Sequence, residues 1–277
     1  MCYTFLRKKL KAYQMKKNRK EQILNLLTAQ GYTSVSDLAS RFNVTTETIR
    51  RDLNQLEREN LVKRIHGGAI ASEKRSPEVE YQNRGQFLRE EKKNIAQYAS
   101  GLINDGETVI ILSGTTTLAM AEFLLQKKNL TVITNSILLC KELASTQDIE
   151  LYILGGKVRN GNYSISGPIA MDNLAVFNPD KVVIGIGGIS VEKGLTDHRM
   201  DETLLTRNCL KTAGTTIGIA DHSKFGTITS YTIGPSHMLN YLITSEMTPE
   251  NVCEPYIKEG IKVVRVRNSE AEISASS

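Results

Sequence analysis

Residues Thr45 to Arg58 read T-T-E-T-I-R-R-D-L-N-Q-L-E-R, and the places of Ile49, Leu53 and Leu56 in that run decide how the first quarter of the chain folds. At about 100° per residue these three apolar side chains share one helical face. The same step puts Glu47, Arg51, Asn54 and Arg58 on the opposite face, with Thr48 and Arg50 on the flanks. Thr45 stands where an N-cap hydroxyl belongs. The run is predicted as a helix with one buried stripe and a long charged outer face.

Two shorter helical patterns precede it. Ile23, Leu26 and Leu27 share a face of a first helix from about Asn18 to Gln30, which Gly31 stops. Ser34 opens S-V-S-D, a capping-box-like start, and Val35, Leu38, Ala39 and Phe42 follow at i, i+3, i+4 and i+7. Asn43-Val44 makes a tight turn into the third helix. After it, Leu61, Val62 and Ile65 have strand character, and Gly67-Gly68 supplies the turn of a small β-hairpin. Three helices, a short turn and a hairpin over 16–71 describe a winged helix-turn-helix. In that arrangement the third helix lies in the major groove with its N-terminal residues at base edges.

On this reading Thr45, Thr46 and Thr48 crowd the helix start, where hydroxyls and unpaired N–H groups can hold a phosphate. Arg50 and Arg51 are forked donors suited to guanine edges or phosphates. Ser34 and Asn54 are placed with them as DNA-binding positions, and Lys63, Arg64 and His66 lie on the wing, within reach of the backbone or minor groove. Double-stranded DNA is therefore the expected partner. Charge agrees: residues 1–71 carry 14 Lys/Arg against 6 Asp/Glu, whereas 72–277 carry 21 against 24. A basic head on a mildly acidic remainder suits a module that meets a polyanion.

Cys2, Cys140, Cys209 and Cys253 are far apart and form no CxxC pair, which favours reduced thiols in a cytoplasmic protein over a disulfide framework. His66, His198, His222 and His237 show no metal-ligand spacing, so no metal or cofactor is expected. No run approaches the ~18 apolar residues of a membrane span. The opening lacks the apolar core and cleavage site of a signal peptide. Residues 1–15 are read as a disordered or extraneous extension.

The spaced text Arg19-x3-Ile23-x3-Leu27, then T-x-x-T-I-R-R-D-L from Thr45 to Leu53, then Arg64-Ile65-His66-Gly67-Gly68-Ala69, resembles the DeoR family of bacterial transcription regulators. The rest of the chain is similar to that family's C-terminal domain. The resemblance implies a regulator, usually a repressor of sugar or nucleoside catabolism, whose DNA binding is controlled by a phosphorylated sugar.

Residues 72–89 are polar, aperiodic and read as a linker. From Glu90 the pattern changes to helices alternating with short Val/Ile-rich strands, among them 108–112, 130–134, 149–154, 181–187, 215–220, 241–244 and 261–266. That alternation predicts an α/β domain over 90–268, with a mostly parallel sheet covered on both faces; 269–277 are read as a disordered tail. Leu112 to Thr117, L-S-G-T-T-T, ends a strand, turns and opens a helix expected to reach Leu125. Ser113, Gly114, Thr115, Thr116 and Thr117 would thus bring N–H groups and hydroxyls to one spot suited to a phosphate. It is not a P-loop. Asn135-Ser136, Gly155-Gly156 with Arg159, Gly187-Gly188, and Asp221 with Lys224 follow four other strands. In open α/β sheets ligands bind beyond the carboxyl ends of the strands, so five such loops would line one pocket, with Lys224 and Arg159 as cations for an anion.

In family terms this half resembles the sugar-phosphate-binding fold of ribose-5-phosphate isomerase and coenzyme A transferases, where the strand-Gly-Ser/Thr loop takes the phosphate and Glu202 and Lys224 match recurrent polar positions. Relatives often carry Asp just before that loop where this chain has Leu112. An alternative is a sugar-phosphate isomerase fused to a DNA module. It is disfavoured because Gly185-Ile186-Gly187-Gly188 replaces the isomerases' paired-aspartate loop, leaving Glu202 and Asp221 to supply a base. Dinucleotide binding at Gly185–Ser190 is disfavoured too, since the third glycine, the helix start and the distal acid are missing. No catalytic residue is expected. Because one module reads only a short site, a homo-oligomer, at least a dimer, is expected.

Overall fold

The computed structural model describes residues 19–20, 22–24, 26–27, 32–58, 62–65, 67–71 and 81–267. The chain divides into two compact units between Pro77 and Glu78.

In the first unit, residues 19–20, 22–24 and 26–27 are helical, followed by α1 (Val35–Arg41) and α2 (Thr46–Arg58). Ile23, Leu27, Leu38, Ile49 and Leu53 have no exposed surface and form one core. The predicted stripes therefore point inward. Ser34 caps α1 through a bond from Asp37 N–H to Ser34 Oγ of 3.1 Å. Thr45 caps α2, Thr48 N–H donating to Thr45 Oγ1 at 3.2 Å.

Strands β2 (Val62–Ile65) and β3 (Gly68–Ala71) pair antiparallel, as expected of the hairpin, with Ile65 opposite Gly68. Gly67 takes φ 75° at the turn, while Gly68, expected in the turn, belongs to β3. Sequence reading missed β1 (Tyr32–Ser34), which pairs with β3 on the hairpin's other side. Three residues are too few to show alternation, and their pairing with residues some 36 positions away is a tertiary effect. Gly31, His66, residues 1–15 and the tail 269–277 lie outside the described residues.

In the second unit seven parallel strands form one sheet in the order β15-β14-β12-β9-β4-β5-β6. They are β4 (Thr108–Ile111), β5 (Leu130–Thr134), β6 (Ile149–Ile153), β9 (Lys181–Gly185), β12 (Thr215–Ile219), β14 (Tyr241–Ser245) and β15 (Lys262–Val266). Alternate residues of each strand feed two separate apolar clusters: Ile110, Val182 and Ile184 on one face, Val109, Ile111 and Val183 on the other. Both faces are thus covered, which a parallel sheet requires. Strand order reverses between β4 and β9, which makes that point of the sheet's carboxyl edge its topological switch point.

Three expectations change. The segment 81–86, read as linker, is the helix α3 (Tyr81–Gln86) and lies within the second unit; α4 (Arg89–Gly101) follows it. A six-residue helix with its single tyrosine turned inward has no readable period. The helix expected from Thr115 to Leu125 is two short ones, α5 (Thr115–Leu118) and α6 (Ala121–Leu124). A run of three β-branched residues such as Thr115–Thr117 propagates a helix poorly. Small antiparallel pieces also decorate the sheet: β7 (Lys157–Arg159) with β8 (Ser164–Ser166), and β10 (Gly188–Ser190) with β11 (Gly194–Asp197) and β13 (Tyr231–Gly234). α7 (Ile137–Leu143) joins β5 to β6, α8 (Pro168–Leu174) follows β8, and α9 (Met200–Thr212) packs on the cluster that holds Ile110 through Leu205 and Cys209.

Candidate nucleic-acid interface and effector pocket

The outer face of α2 carries Glu47, Arg51, Asn54 and Arg58, all exposed as predicted, with Arg50 exposed beside them and Thr48 half-buried. Glu47 organises the arginines: its carboxylate lies 3.4 Å from Arg51 Nε and 4.0 Å from Arg50 Nη1. All three side chains remain more than half exposed, so these contacts are weak and yield easily to a stronger anion. Arg64 on β2 reaches back to α2: its Nη1 donates to Asn54 Oδ1 at 2.6 Å and its N–H to Glu57 Oε1 at 3.1 Å. The hairpin is thereby tied to the third helix. Thr45 Oγ1 and Thr48 Oγ1 bond each other at 2.9 Å, and Ser34 Oγ donates to Asp37 Oδ2 at 2.6 Å, so these hydroxyls serve the caps first. Thr46 is exposed at the start of α2. Of Lys63 only the strand position is described, and His66 is not described.

In the second unit all five predicted loops leave parallel strands at one edge. At the switch point Gly114 and Gly185 face each other closely: a Cβ on Gly114 would lie 3.7 Å from Gly185 Cα and 3.0 Å from Thr117 Oγ1. Several predicted ligand groups are already engaged. Ser113 N–H donates to Asn135 Oδ1 at 2.7 Å, and Asn135 Nδ2 donates to Ile165 O at 2.9 Å, so Asn135 braces the loop from below. Thr117 is buried and its hydroxyl donates to Gly114 O at 3.0 Å; Thr116 is buried as well, leaving Ser113, Gly114 and Thr115 half-exposed. Ser136 caps α7, accepting from Leu139 N–H at 3.2 Å. Of Ser113 to Thr117, Thr116 and Thr117 are thus turned away from the surface, and three residues of the loop keep exposed surface.

The glycines of two other loops meet protein. Gly155 N–H donates to Asn173 Oδ1 at 2.9 Å, and Gly156, at φ 137°, would put a Cβ 2.9 Å from Ser166 O. A Cβ on Gly188 would lie 2.5 Å from Thr227 O, and one on Gly187 3.1 Å from Thr196 O. These glycines allow close packing. Gly188 starts a strand of a hairpin, not a helix, which removes the helix N-terminus a dinucleotide would need. Leu112, where relatives often carry Asp, is buried in the core and its N–H bonds Val183 O.

Charged side chains gather instead around this edge. Glu202 of α9 accepts from Arg159 Nη1 at 3.1 Å, Ser164 Oγ at 2.7 Å and Asn162 Nδ2 at 3.4 Å, holding the β7–β8 hairpin. Arg84 Nη2 donates to Asn162 Oδ1 at 2.7 Å, and Tyr81 Oη to Gly114 O at 3.2 Å, so α3 lies across the loop after β4. Burial pushes the Tyr81 phenol up to about 12, against the pull of Arg84. Lys92, only 4% exposed, donates to Phe87 O at 2.8 Å and stands 3.9 Å from Asp221 Oδ2. Burial drives its ammonium down to about 8, more than Asp221 restores. Asp221 is buried, which would raise its carboxyl; Lys224, Lys92 and a bond from Ser223 outweigh that and hold it below the usual range. Its Oδ2 has no hydrogen-bond partner, and the Lys224 side chain makes no hydrogen bond or ion pair among the described residues. Beside these groups a cleft of about 330 Å³ opens among Tyr81, Arg89, Lys92, Thr115 and Glu122.

Tyr81, Arg84, Lys92, Asn162 and Ser164 were not foreseen. Lys92 left a signal: it precedes Ile95, Ala96 and Ala99 at i+3, i+4 and i+7, a lysine on an otherwise apolar stripe. The others sit on pieces too short to place from sequence.

A winged helix-turn-helix unit joined to a separate parallel α/β unit with a charged crevice defines a two-domain DNA-binding transcription regulator. The description of the DeoR-like helix-turn-helix domain matches residues 19–75, and that of the DeoR C terminal sensor domain matches 88–246. The chain is 32% identical over 250 residues to the HTH-type transcriptional repressor GlcR of Bacillus subtilis (strain 168), covering 90% of this chain and 96% of that one. It is 32% identical over 236 residues to the glycerol-3-phosphate regulon repressor of Escherichia coli (strain K12), covering 85% and 93%. This protein belongs to the DeoR family. Ribose 5-phosphate isomerase A from Methanocaldococcus jannaschii is a distant structural neighbour, at 17% identity and TM-score 0.37 over 50% of this chain and 54% of that one. No helix among the described residues is long and apolar enough to cross a membrane.

Proposed function

We propose that this protein represses genes of carbohydrate or nucleoside catabolism and that a phosphorylated sugar, bound at the crevice of the second unit, controls its hold on DNA. Thr46, Arg50 and Arg51 at the head of α2 meet base edges and phosphates, with Ser34, Thr45, Thr48 and Asn54 beside them and Lys63, Arg64 and His66 on the wing. It acts as a homo-oligomer in the cytoplasm, since paired modules on two half-sites supply the affinity that one short helix lacks. The names of its relatives, a glycerol-3-phosphate regulon repressor among them, support the class of gene.

One observation carries the sensing reading. Arg84, Lys92 and Lys224 gather around two buried carboxylates, Asp221 and Glu91, and the Lys224 side chain makes no hydrogen bond or ion pair among the described residues. A cationic surplus in a low-dielectric crevice favours an anion of more than one charge, and a phosphate monoester is such an anion. Ser113, Gly114 and Thr115 flank it, and Glu202 with Arg159 closes the side where sugar hydroxyls would lie. The remaining loop positions, Thr116, Thr117, Asn135, Ser136, Gly155, Gly156, Gly187 and Gly188, shape and brace the pocket. The test is a thermal-shift screen of the full chain against sugar phosphates and the same sugars without phosphate. A ligand that binds the folded state raises the melting temperature by mass action. Stabilisation by phosphorylated compounds alone is expected; none by any phosphorylated sugar would refute the sensing reading.

A further inference from the structure

Glu91, the residue before Lys92 on α4, is 6% exposed and holds three hydrogen bonds to other elements. Its Oε1 accepts from His222 N–H at 2.8 Å and from Ser245 Oγ at 2.6 Å, and its Oε2 lies 2.8 Å from His222 Nδ1. A buried carboxylate is costly unless its lone pairs are satisfied, and here every contact falls on the turn 221–224 or on the end of β14. The turn it grips runs from Asp221 through His222 to Lys224, one 3-10 turn that carries the cation of the proposed pocket. Lys92, the next residue on the same helix, faces Asp221 at 3.9 Å. Two adjacent side chains of α4 therefore hold the first two residues of one short turn.

We propose that the Glu91–His222 pair is a positioning device for effector binding: it fixes the Asp221–Lys224 turn against α4 so that Lys224 meets the phosphate in a set geometry. This rests on the phosphate reading of the pocket given above. A lysine on an unbraced turn offers the same charge with greater freedom to lose on binding, so its anion affinity falls. The groups facing the imidazole are Glu91 from α4 and Asp221 and Lys224 from its own turn; the hydrogen bond it donates to the Glu91 carboxylate raises its pKa above the ordinary value, against burial.

His222 is half-buried, so its truncation leaves no large cavity. The full chain, wild type and with His222→Ala, His222→Asn, Glu91→Gln or Lys224→Ala, would be titrated with inorganic phosphate by calorimetry, and the His222 pKa followed by NMR. Wild type is expected to bind phosphate, His222→Ala to weaken it at least tenfold, and His222→Asn, whose amide can still donate to Glu91, to recover most of it. Glu91→Gln is expected to weaken binding and lower the His222 pKa together. Loss of binding in Lys224→Ala with wild-type affinity in His222→Ala would overturn the positioning role and leave the pocket standing. Unchanged binding in Lys224→Ala, or no binding by wild type, would overturn both.

Discussion

Arg19 Nε lies 2.6 Å from Asp52 Oδ2, an ion pair that fastens the opening helical stretch to the inner side of α2. Asp52 is 1% exposed and sits between Ile49 and Leu53 on the stripe that faces the core. The pair therefore fixes the rotation of α2, and with it which side chains face outward. Asp52→Ala leaves the guanidinium without its carboxylate, and breaking a buried pair from one side costs about 3–5 kcal/mol. Because Arg19 keeps some exposure, the lower end is expected. Urea unfolding should show the first unit melting earlier and the second unchanged. Replacing both partners by apolar residues should recover part of the loss.

Core packing in the first unit gives a second expectation. Leu53 has no exposed surface and lies in the apolar cluster that the described residues of that unit form. Leu53→Ala should destabilise it by roughly 2–5 kcal/mol. That is a large share of the whole stability of a small domain, so DNA binding should fail at temperatures where wild type still binds. Circular dichroism melts beside binding isotherms would separate lost fold from lost contact.

The wing and the helix are expected to act differently on DNA. Arg50→Ala and Arg51→Ala should each weaken operator binding by about 1–3 kcal/mol and relax base preference where they touch bases. Arg64→Ala frees Asn54 from its 2.6 Å bond and loosens the hairpin, so it should weaken all sequences alike and flatten the salt dependence. Binding isotherms over several salt concentrations distinguish the two patterns.

Effector affinity should depend on Lys92. Its ammonium titrates near 8 because burial disfavours the charge. Below that pH it is a cation and attracts an anion; above it the attraction fades. Phosphate affinity is therefore expected to fall between pH 7.5 and 9, approaching about tenfold, with proton uptake on binding at the upper end. Without ligand the sign reverses for folding. Between about 8 and 10.5 the unfolded chain holds a proton that the native lysine has lost, so stability rises with pH there. Calorimetry in buffers of different ionisation heat measures the uptake, and Lys92→Met should abolish the pH dependence.

The regular elements were readable because their periods are long enough to register. Ile49, Leu53 and Leu56 announce α2, and the Val/Ile runs announce all seven parallel strands. Direction followed too, since strands alternating with helices can only cross over in parallel. What escaped depends on distant partners. β1 exists because β3 lies beside it, and α3 because Tyr81 reaches Gly114 O. The proposed pocket was legible only in part. Polar text at strand ends brought five loops to one edge of the sheet, but Asn135 and Thr117 turn their polar groups to backbone, whereas Arg84 and Lys92 enter from residues outside every predicted loop. A sequence states which donors are present and not which acceptors have already claimed them.

The most direct test of the central claim, that α2 enters the major groove, is a hydroxyl-radical footprint on genomic fragments selected by the purified protein. Wild type should protect discrete sites, with half-sites about one helical turn apart if the protein binds as a dimer, and the double variant Arg50→Ala with Arg51→Ala should lose that protection while remaining folded. An identical footprint from the double variant, or no protected site for wild type at any salt with or without sugar phosphates, would contradict it.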